Sequence, residues 1–194
     1  MNRLALFLFL VLVMGSRSQN PEKEVFKKII QDKFVIVLDI QKYYTEKAIS
    51  DSEADTLIKY ANYVIENADP NNVIYFKAIH KELTISFRSI TVDTLDNLEI
   101  DSRLKVINNN ILWKEEGNAF TVAGLNNFLE NRNAKKIIVV GLMAEKCVYK
   151  TLVGGRELGY EMYVIPEAIV GKSEKSKQKV IEKLLDEGIT IIEL

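Results

Sequence analysis

The chain has 194 residues, of which 47% are apolar, and this length and composition suit one domain with a sizeable core. Lysine and arginine number 26 against 27 aspartates and glutamates, so the formal net charge is −1. That balance excludes the strongly basic surface on which nucleic-acid binding depends.

The first 20 residues differ in kind from the rest of the chain. Arg3 precedes an unbroken apolar run from Leu4 to Met14, and Ser16-Arg-Ser18 follows with small residues at alternate positions. The pattern predicts a cleavable signal peptide over residues 1–18, a mature domain over 19–194, and a protein that is exported, either periplasmic or secreted. A membrane anchor is the alternative, but the 11 apolar residues rise only about 16 Å as a helix, too short to span a bilayer.

Helix and strand patterns alternate through the remaining chain. The periodicity predicts helices over residues 20–32, 50–67, 121–131, from about 145 onward, and 173–187. Strands are predicted over residues 33–44, 73–76, 111–113, 137–140, 161–165 and 189–192. This order indicates an α/β protein, a three-layer α/β/α Rossmann-like fold with a central, mostly parallel sheet of about six strands. The segment from Ser86 to Asp101 carries little pattern, and we expect loop or short-helix packing there.

The first strand runs through five apolar residues straight into Asp39. A carboxylate at the carboxyl end of a buried parallel strand lies at the edge where open α/β sheets bind their ligands. Aspartate is also common as the residue that caps a turn after a strand. Position alone leaves both roles open for Asp39.

The only cysteine, Cys147, follows the most apolar strand of the chain. Residues Ile137 to Val140 are four consecutive β-branched residues, typical of a strand buried on both faces, and a helical pattern starts near Glu145. A thiol where a helix begins is close to free N–H groups and the positive end of the helix dipole, which favour the reactive thiolate. The alternative is a small buried hydrophobe. A single unpaired cysteine in an exported protein favours the reactive role.

Three segments together resemble the isochorismatase-like cysteine hydrolases, over the chain from about Phe34 to its end. The matching segments are Val139-Val-Gly-Leu-Met-Ala-Glu-Lys-Cys147-Val-Tyr-Lys-Thr151, Leu38-Asp39-Ile-Gln41 and Trp113-Lys114-x-x-x-Asn118-Ala-Phe120. The resemblance implies a triad in which Asp39 is the general base, Lys114 stabilises the thiolate and oxyanion, and Cys147 is the nucleophile. Without the resemblance, a lysine at a strand end such as Lys114 is usually solvated. Most relatives have serine where this chain has Asn118.

The resemblance further implies hydrolysis of a small amide or related C–N bond through a thioester acyl-enzyme. The oxyanion hole would be formed by the backbone N–H groups of Met143 and Cys147, with a cis peptide bond between Leu142 and Met143. True isochorismatases, which are vinyl-ether hydrolases, share the Asp and Lys but lack the nucleophile, so Cys147 favours an amidase. A non-catalytic small-molecule-binding or redox-sensing member is the remaining alternative, and neither of these needs a triad.

Four aromatic or imidazole side chains are candidates for contact with the substrate. Tyr43 and Tyr44 fall where the family often has an aromatic residue near the pocket, and they are equally explained by packing at its rim. Phe120 is expected to pack against the substrate. His80 is either a pocket residue or a hydrogen-bonded loop histidine.

Metal-dependent relatives such as nicotinamidases carry Asp-x-His after the second strand and another His six residues later. In this chain Ala78 replaces that Asp and Ser86 replaces the later His, which leaves His80 alone. Because zinc sites use three or four protein ligands, we expect no metal and no cofactor. The expected partner is a small-molecule substrate. We expect no binding to nucleic acid and, after signal cleavage, none to a membrane. Whether the protein forms a homo-oligomer is left open. Arg88 could contact an anionic substrate, but no spacing supports this.

Overall fold

The computed structural model describes residues 21–85, 90–95 and 98–194. The predicted signal peptide over residues 1–18 lies outside these ranges, as do Ser86 and Arg88. Within the described ranges, no helix has both the length and the apolar character needed to cross a bilayer.

Helices and strands alternate along the described chain. The helices are α1 Pro21–Ile30, α2 Lys42–Lys47, α3 Asp51–Asn67, α4 Ala123–Glu130, α5 Tyr149–Glu157 and α6 Glu174–Asp186. The strands are β1 Phe34–Leu38, β2 Val73–Ala78, β3 His80–Ile85, β4 Ile90–Leu95, β5 Ile111–Lys114, β6 Lys136–Leu142, β7 Glu161–Val170 and β8 Thr190–Ile191. Short 3₁₀ turns lie at Pro70–Asn72 and Ala119–Thr121, and a wide helical turn at Ala144–Val148 leads into α5.

Six parallel strands of the described residues form one sheet in the order β5-β2-β1-β6-β7-β8. The central strand β1 pairs with β2 and β6, so that Leu38 lies opposite both Phe76 and Gly141. This confirms the predicted α/β fold with its parallel sheet of about six strands. Since all six strands run the same way, the residues that follow β1, β5 and β6 lie along one edge.

Side chains of β1 alternate between two apolar cores, one on each face of the sheet. Phe34, Ile36 and Leu38 pack with buried residues of α4, α5 and α6. Val35 and Val37 pack with buried residues of α1 and α3. Both faces of the strand are therefore covered by helices, which explains why its sequence is continuously apolar instead of alternating.

Helix α3 begins where its hydroxyl- and acid-rich sequence predicts. Ser50 Oγ accepts a hydrogen bond from the backbone N–H of Glu53, and the Glu53 carboxylate accepts one from the backbone N–H of Ser50. This capping box satisfies two N–H groups that have no partner within the helix.

Two strand ends differ from the sequence prediction. The first strand stops at Leu38 and does not reach Tyr44, because Asp39 adopts a left-handed conformation (φ 58°) and the short helix α2 follows. Strand β7 extends to Val170 instead of stopping at Ile165. Its pairing with β6 shifts register between Val139 and Gly141, and Pro166, which has no N–H to donate, falls in this interruption.

The expectation of loop or short-helix packing from Ser86 to Asp101 is wrong for Ile90–Leu95, which is a strand, whereas residues 86–89 lie outside the described ranges. Residues His80–Ile85 and Ile90–Leu95 form a two-stranded antiparallel ribbon, β3 and β4, in which His80 pairs with Leu95 and Ile85 with Ile90. The alternation of apolar and polar residues in Leu83-Thr-Ile85 and Ile90-Thr-Val92 is typical of such a strand. This alternation covers only three residues in each segment, which is too short to predict a strand from the sequence alone.

Candidate active site

Asp39, Lys114 and Cys147 meet at the carboxyl edge of the sheet. The Lys114 ammonium lies 2.9 Å from Asp39 Oδ2 and donates a hydrogen bond to Cys147 Sγ at 3.4 Å. The side chains of Lys114 and Asp39 are only 1% and 4% exposed, whereas Cys147 is half-buried. The sheet order brings these residues together, because β2 and β1 lie between β5 and β6 and all end on the same side.

Gly141 lets the chain after β6 approach Asp39 closely. A Cβ atom at this position would lie 2.1 Å from the carbonyl oxygen of Leu38. In addition, residues with a side chain rarely adopt the backbone φ of 127° found here. Only glycine therefore fits beside the end of β1. The peptide bond between Leu142 and Met143 that follows is cis, as predicted.

Cys147 lies in a wide helical turn that begins at Ala144, one residue before the predicted start. The N–H of Val148 donates to the carbonyl of Met143 at 3.3 Å, and the N–H of Tyr149 donates to that of Ala144. Both bonds span five residues, the π-helical spacing that is rare in proteins and frequent at functional sites. As the fourth residue of this turn, Cys147 is among those whose N–H groups a helix start leaves exposed.

Gln41 holds the end of β2 beside the end of β1. Its side chain is completely buried, Oε1 accepts a hydrogen bond from the N–H of Ala78 at 2.7 Å, and Nε2 donates to the carbonyls of Ala78 at 3.2 Å and Leu98 at 3.1 Å. The Gln41 amide thus makes the hydrogen bonds to the Ala78 backbone that a neighbouring strand would make if β1 continued past Leu38. In the sequence Gln41 belongs to the Leu38-Asp39-Ile-Gln41 motif, but no role was predicted for it.

Thr151 fixes the loop that follows Lys114. Its buried Oγ1 accepts a hydrogen bond from the N–H of Ala119 at 3.0 Å and donates to the carbonyl of Gly117 at 3.4 Å. These bonds tie the loop to α5, the helix that follows Cys147. A hydroxyl on an otherwise apolar helix face was the available signal for this role.

Burial raises the pKa of both acidic groups in the site. For Asp39 this effect is opposed by the charge and hydrogen bond of Lys114. The pKa of the Cys147 thiol is raised to about 11, first because burial disfavours the thiolate and second because the Asp39 carboxylate repels it, with Lys114 acting in the opposite direction. Lys114 favours the thiolate, as expected for a cation beside the sulfur, but burial and Asp39 outweigh it, so the pKa of the thiol is raised.

The site is consequently set up for transfer of a proton from sulfur to carboxylate. The thiol is protonated at neutral pH because its pKa is raised to about 11. Asp39 Oδ1 is buried and has no hydrogen-bond partner among the described residues, so one lone pair of the carboxylate is available. Its other oxygen, Oδ2, is held by Lys114.

A cavity of about 410 Å³ opens over the thiol. Its lining consists of Asp39, Tyr43, Tyr44, Lys47, Ala48, Ala78, Leu142, Met143, Lys146 and Cys147. The rings of Tyr43 and Tyr44 meet edge to face with their centroids 5.3 Å apart. Burial, together with the charges of Asp39 and Cys147, raises the pKa of Tyr44 to about 12. The volume is typical of a site for a small organic molecule.

The residues predicted to contact the substrate do not all lie at the cavity. Tyr44 lines the cavity, as does its neighbour Tyr43. Phe120 does not: it is buried in the core, where its ring stacks on that of Tyr160 with the centroids 5.5 Å apart. His80 begins β3, and its side chain is outside the described part of the structure.

Lys47 and Lys146 also line the cavity, and neither was predicted from the sequence. Lys146 directly precedes Cys147, and Lys47 lies one helical turn beyond Tyr43 and Tyr44 on α2. Both positions could have been inferred from neighbouring residues already assigned to the site.

The described side chains do not fit a zinc site at this edge of the sheet. No group of three or more His, Cys, Asp or Glu residues within the described ranges is placed to hold a metal ion. Ala78 ends β2 with a methyl group, and the partner of Asp39 is the Lys114 ammonium.

Comparison with known proteins identifies the family. The Isochorismatase domain matches residues 33–194, so the chain belongs to the isochorismatase-like hydrolases. No curated protein sequence matches.

Solved structures share this fold at low sequence identity. The pyrazinamidase of Pyrococcus horikoshii, solved in complex with zinc, is 21% identical with a TM-score of 0.62, over 84% of this chain and 99% of that one. The pyrazinamidase/nicotinamidase of Streptococcus mutans is 19% identical with a TM-score of 0.66, over 82% of this chain and 99% of that one. An octameric hydrolase of unknown specificity from Escherichia coli is 13% identical with a TM-score of 0.62, over 84% of this chain and 75% of that one.

Proposed function

We propose that this protein is a cysteine hydrolase that cleaves a small amide or related C–N bond through Asp39, Lys114 and Cys147. The observation that carries the proposal is the position of the Cys147 thiol, within 3.4 Å of the Lys114 ammonium and beside a cavity of about 410 Å³. A nucleophile, a base and a fixed cation are the groups that acyl transfer requires.

The first step forms a bond between sulfur and the amide carbon. Asp39 takes the thiol proton on its unpartnered oxygen, and Lys114 stabilises the thiolate as it forms. The sulfur then attacks the carbonyl carbon, and the C=O π electrons move to the oxygen. The backbone N–H groups of Met143 and Cys147 are the proposed donors to this oxyanion.

The second step breaks the C–N bond. The oxyanion collapses, the amine leaves with the proton that Asp39 received from sulfur, and a thioester to Cys147 remains. Asp39 then takes a proton from water, which attacks the thioester. The acid is released, and the proton returns to the sulfur, so the enzyme is regenerated without any co-reactant.

The proposed reaction is independent of metal. The Pyrococcus horikoshii pyrazinamidase was solved with zinc, whereas here Ala78 provides no ligand at the end of β2. The alternative of vinyl-ether hydrolysis, as in true isochorismatases, needs no nucleophile. It leaves unexplained why Cys147 is placed beside Asp39 and Lys114.

A panel of small amides, with release of ammonia as the readout, tests the proposal. We expect at least one amide to be hydrolysed by the wild-type protein and not by Cys147→Ala. Lys150→Met, which changes an exposed residue of α5, serves as the control and should retain full activity. Cleavage of isochorismate without any amide hydrolysis would establish the vinyl-ether alternative, and no turnover of either class would favour a non-catalytic protein.

A further inference from the structure

We infer that the substrate of this site is an anion, a small amide that carries a carboxylate placed to meet Lys47 and Lys146. The inference rests on the proposed amide hydrolysis and adds the chemical class of its substrate. It comes from the charges around the cavity, which the proposed reaction does not use.

The cavity has an excess of positive charge. Its charged lining residues are Asp39, Lys47 and Lys146. Lys114, which is buried beneath the cavity, neutralises Asp39 at 2.9 Å. Two ammonium groups are therefore left without a carboxylate in the cavity.

The acids that neighbour these lysines in sequence are engaged elsewhere. Glu46 lies 3.9 Å from the Lys42 ammonium and forms its ion pair there. Glu145 accepts a hydrogen bond from the backbone N–H of Lys172 at 2.9 Å. Consequently neither Lys47 nor Lys146 forms an ion pair with any residue that the structure describes.

Both lysines line the cavity that contains the thiol. The Lys47 ammonium lies 4.5 Å from the centroid of the Tyr43 ring, a cation–π contact that keeps it on the cavity wall. Lys146 precedes Cys147 in the wide turn and is positioned with it. A carboxylate bound by them would lie in the same cavity as the thiol.

The rest of the wall is suited to the body of such a substrate. Leu142, Met143, Ala48 and Ala78 are apolar, and Tyr43 and Tyr44 add aromatic surface. Lys47 and Lys146 are themselves exposed, so their attraction for an anion is that of partly screened charges. A molecule with an apolar or aromatic body, an amide at the thiol and a carboxylate at the lysines satisfies every part of the lining.

The test compares meta-carbamoylbenzoate with meta-nitrobenzamide, because a nitro group has the shape of a carboxylate without its charge. kcat and KM are measured for both amides with wild type, Lys47→Met, Lys146→Met and the double variant. Methionine keeps the length of lysine and removes the charge. Lys42→Met is the control on the same helix, since Lys42 does not line the cavity.

We expect each single variant to lose about three- to fivefold in kcat/KM on the carboxylate, the size of a partly exposed charge pair, mostly through KM. The double variant should lose about tenfold or more, with less than about a twofold change on the nitro compound. Lys42→Met should change neither. Equal losses on both amides, or an unchanged carboxylate preference in the double variant, would overturn the inference.

Binding to Cys147→Ala, measured by calorimetry with the same two compounds, separates this inference from the proposed reaction. Tighter binding of the carboxylate, lost on adding Lys47→Met and Lys146→Met, supports the anion site even if no amide is cleaved. Turnover without any preference for charge would leave the reaction standing and refute the anion site. Failure of the carboxylate to bind at millimolar concentration would also refute it.

Discussion

Replacing Lys114 by methionine should make the Cys147 thiol less reactive at neutral pH. The Lys114 ammonium is the cation that contacts Sγ, at 3.4 Å, and it lowers a pKa that burial and Asp39 raise. An opposite charge at such a distance is worth about 1–3 pKa units, so its loss should raise the thiol pKa by about 2 units. Methionine fills a similar volume and so separates loss of charge from loss of packing.

The size of the effect follows from two opposing factors. A rise of about 2 units lowers the thiolate fraction about a hundredfold at any pH well below the pKa. A more basic thiolate is the better nucleophile, with a Brønsted coefficient of about 0.5, which recovers about tenfold. The net expectation is alkylation about tenfold slower than in wild type, by a constant factor between roughly pH 6 and 10, since both pKa values lie above that range.

The assay is the rate of iodoacetamide labelling followed by mass spectrometry across this pH range. Lys150→Met is the control, because Lys150 is an exposed residue of α5 outside the cavity. Removing one partner of a buried ion pair costs about 3–5 kcal/mol, so folding of each variant is checked by thermal denaturation before labelling. Equal labelling rates for wild type and Lys114→Met would show that the cation does not act on the sulfur.

Three further outcomes are expected. Asp39→Asn should abolish amide turnover, because no base remains, while the protein still folds and still labels at Cys147. The wild-type kcat/KM should fall as the pH is lowered through the pKa of Asp39, which burial raises, so this loss should occur at a higher pH than for an ordinary carboxyl group; a loss only below about pH 4 would contradict it. Gly141→Ala should destabilise the protein by more than about 2 kcal/mol, as its Cβ would lie 2.1 Å from Leu38 O, whereas Gly159→Ala, with positive φ and open space, should cost only about 1 kcal/mol.

The parallel sheet, and the meeting of the three site residues at its carboxyl edge, could both be predicted from the sequence for the same reason. Continuous apolar runs indicate strands covered on both faces, and such strands in alternation with helices run parallel. Once β1, β5 and β6 are parallel, the residues at their carboxyl ends must share an edge. The strand order therefore predicts that Asp39, Lys114 and Cys147 meet, although the choice of Lys114 came from the family resemblance.

The ionisation of the thiol could not be predicted in this way. Its direction depends on the balance between burial, Asp39 and Lys114, and the burial of Cys147 is a property of the folded surroundings. The helix start, which favours a thiolate, is visible in the sequence, whereas burial is not. The wide turn that carries Cys147 likewise has no recognised sequence signal.

The position of the Phe120 ring was also not predictable from the sequence. Phe120 follows Lys114 closely enough in sequence to suggest a place in the pocket, yet it packs against Tyr160 beneath the surface. The direction of a side chain in a short 3₁₀ turn such as Ala119–Thr121 depends on its neighbours. Lys47 and Lys146 are the opposite case, since both line the cavity and their sequence positions beside Tyr43, Tyr44 and Cys147 were enough to suggest it.

The most direct test of the account is a search for the acyl-enzyme. Wild-type protein mixed with a cleavable amide, quenched within milliseconds and examined by intact-mass spectrometry, should carry one adduct with the mass of the substrate less ammonia. Peptide mapping should place this adduct on Cys147, and Cys147→Ala should show neither adduct nor turnover. Amide hydrolysis that proceeds without an adduct and survives Cys147→Ala would contradict the account.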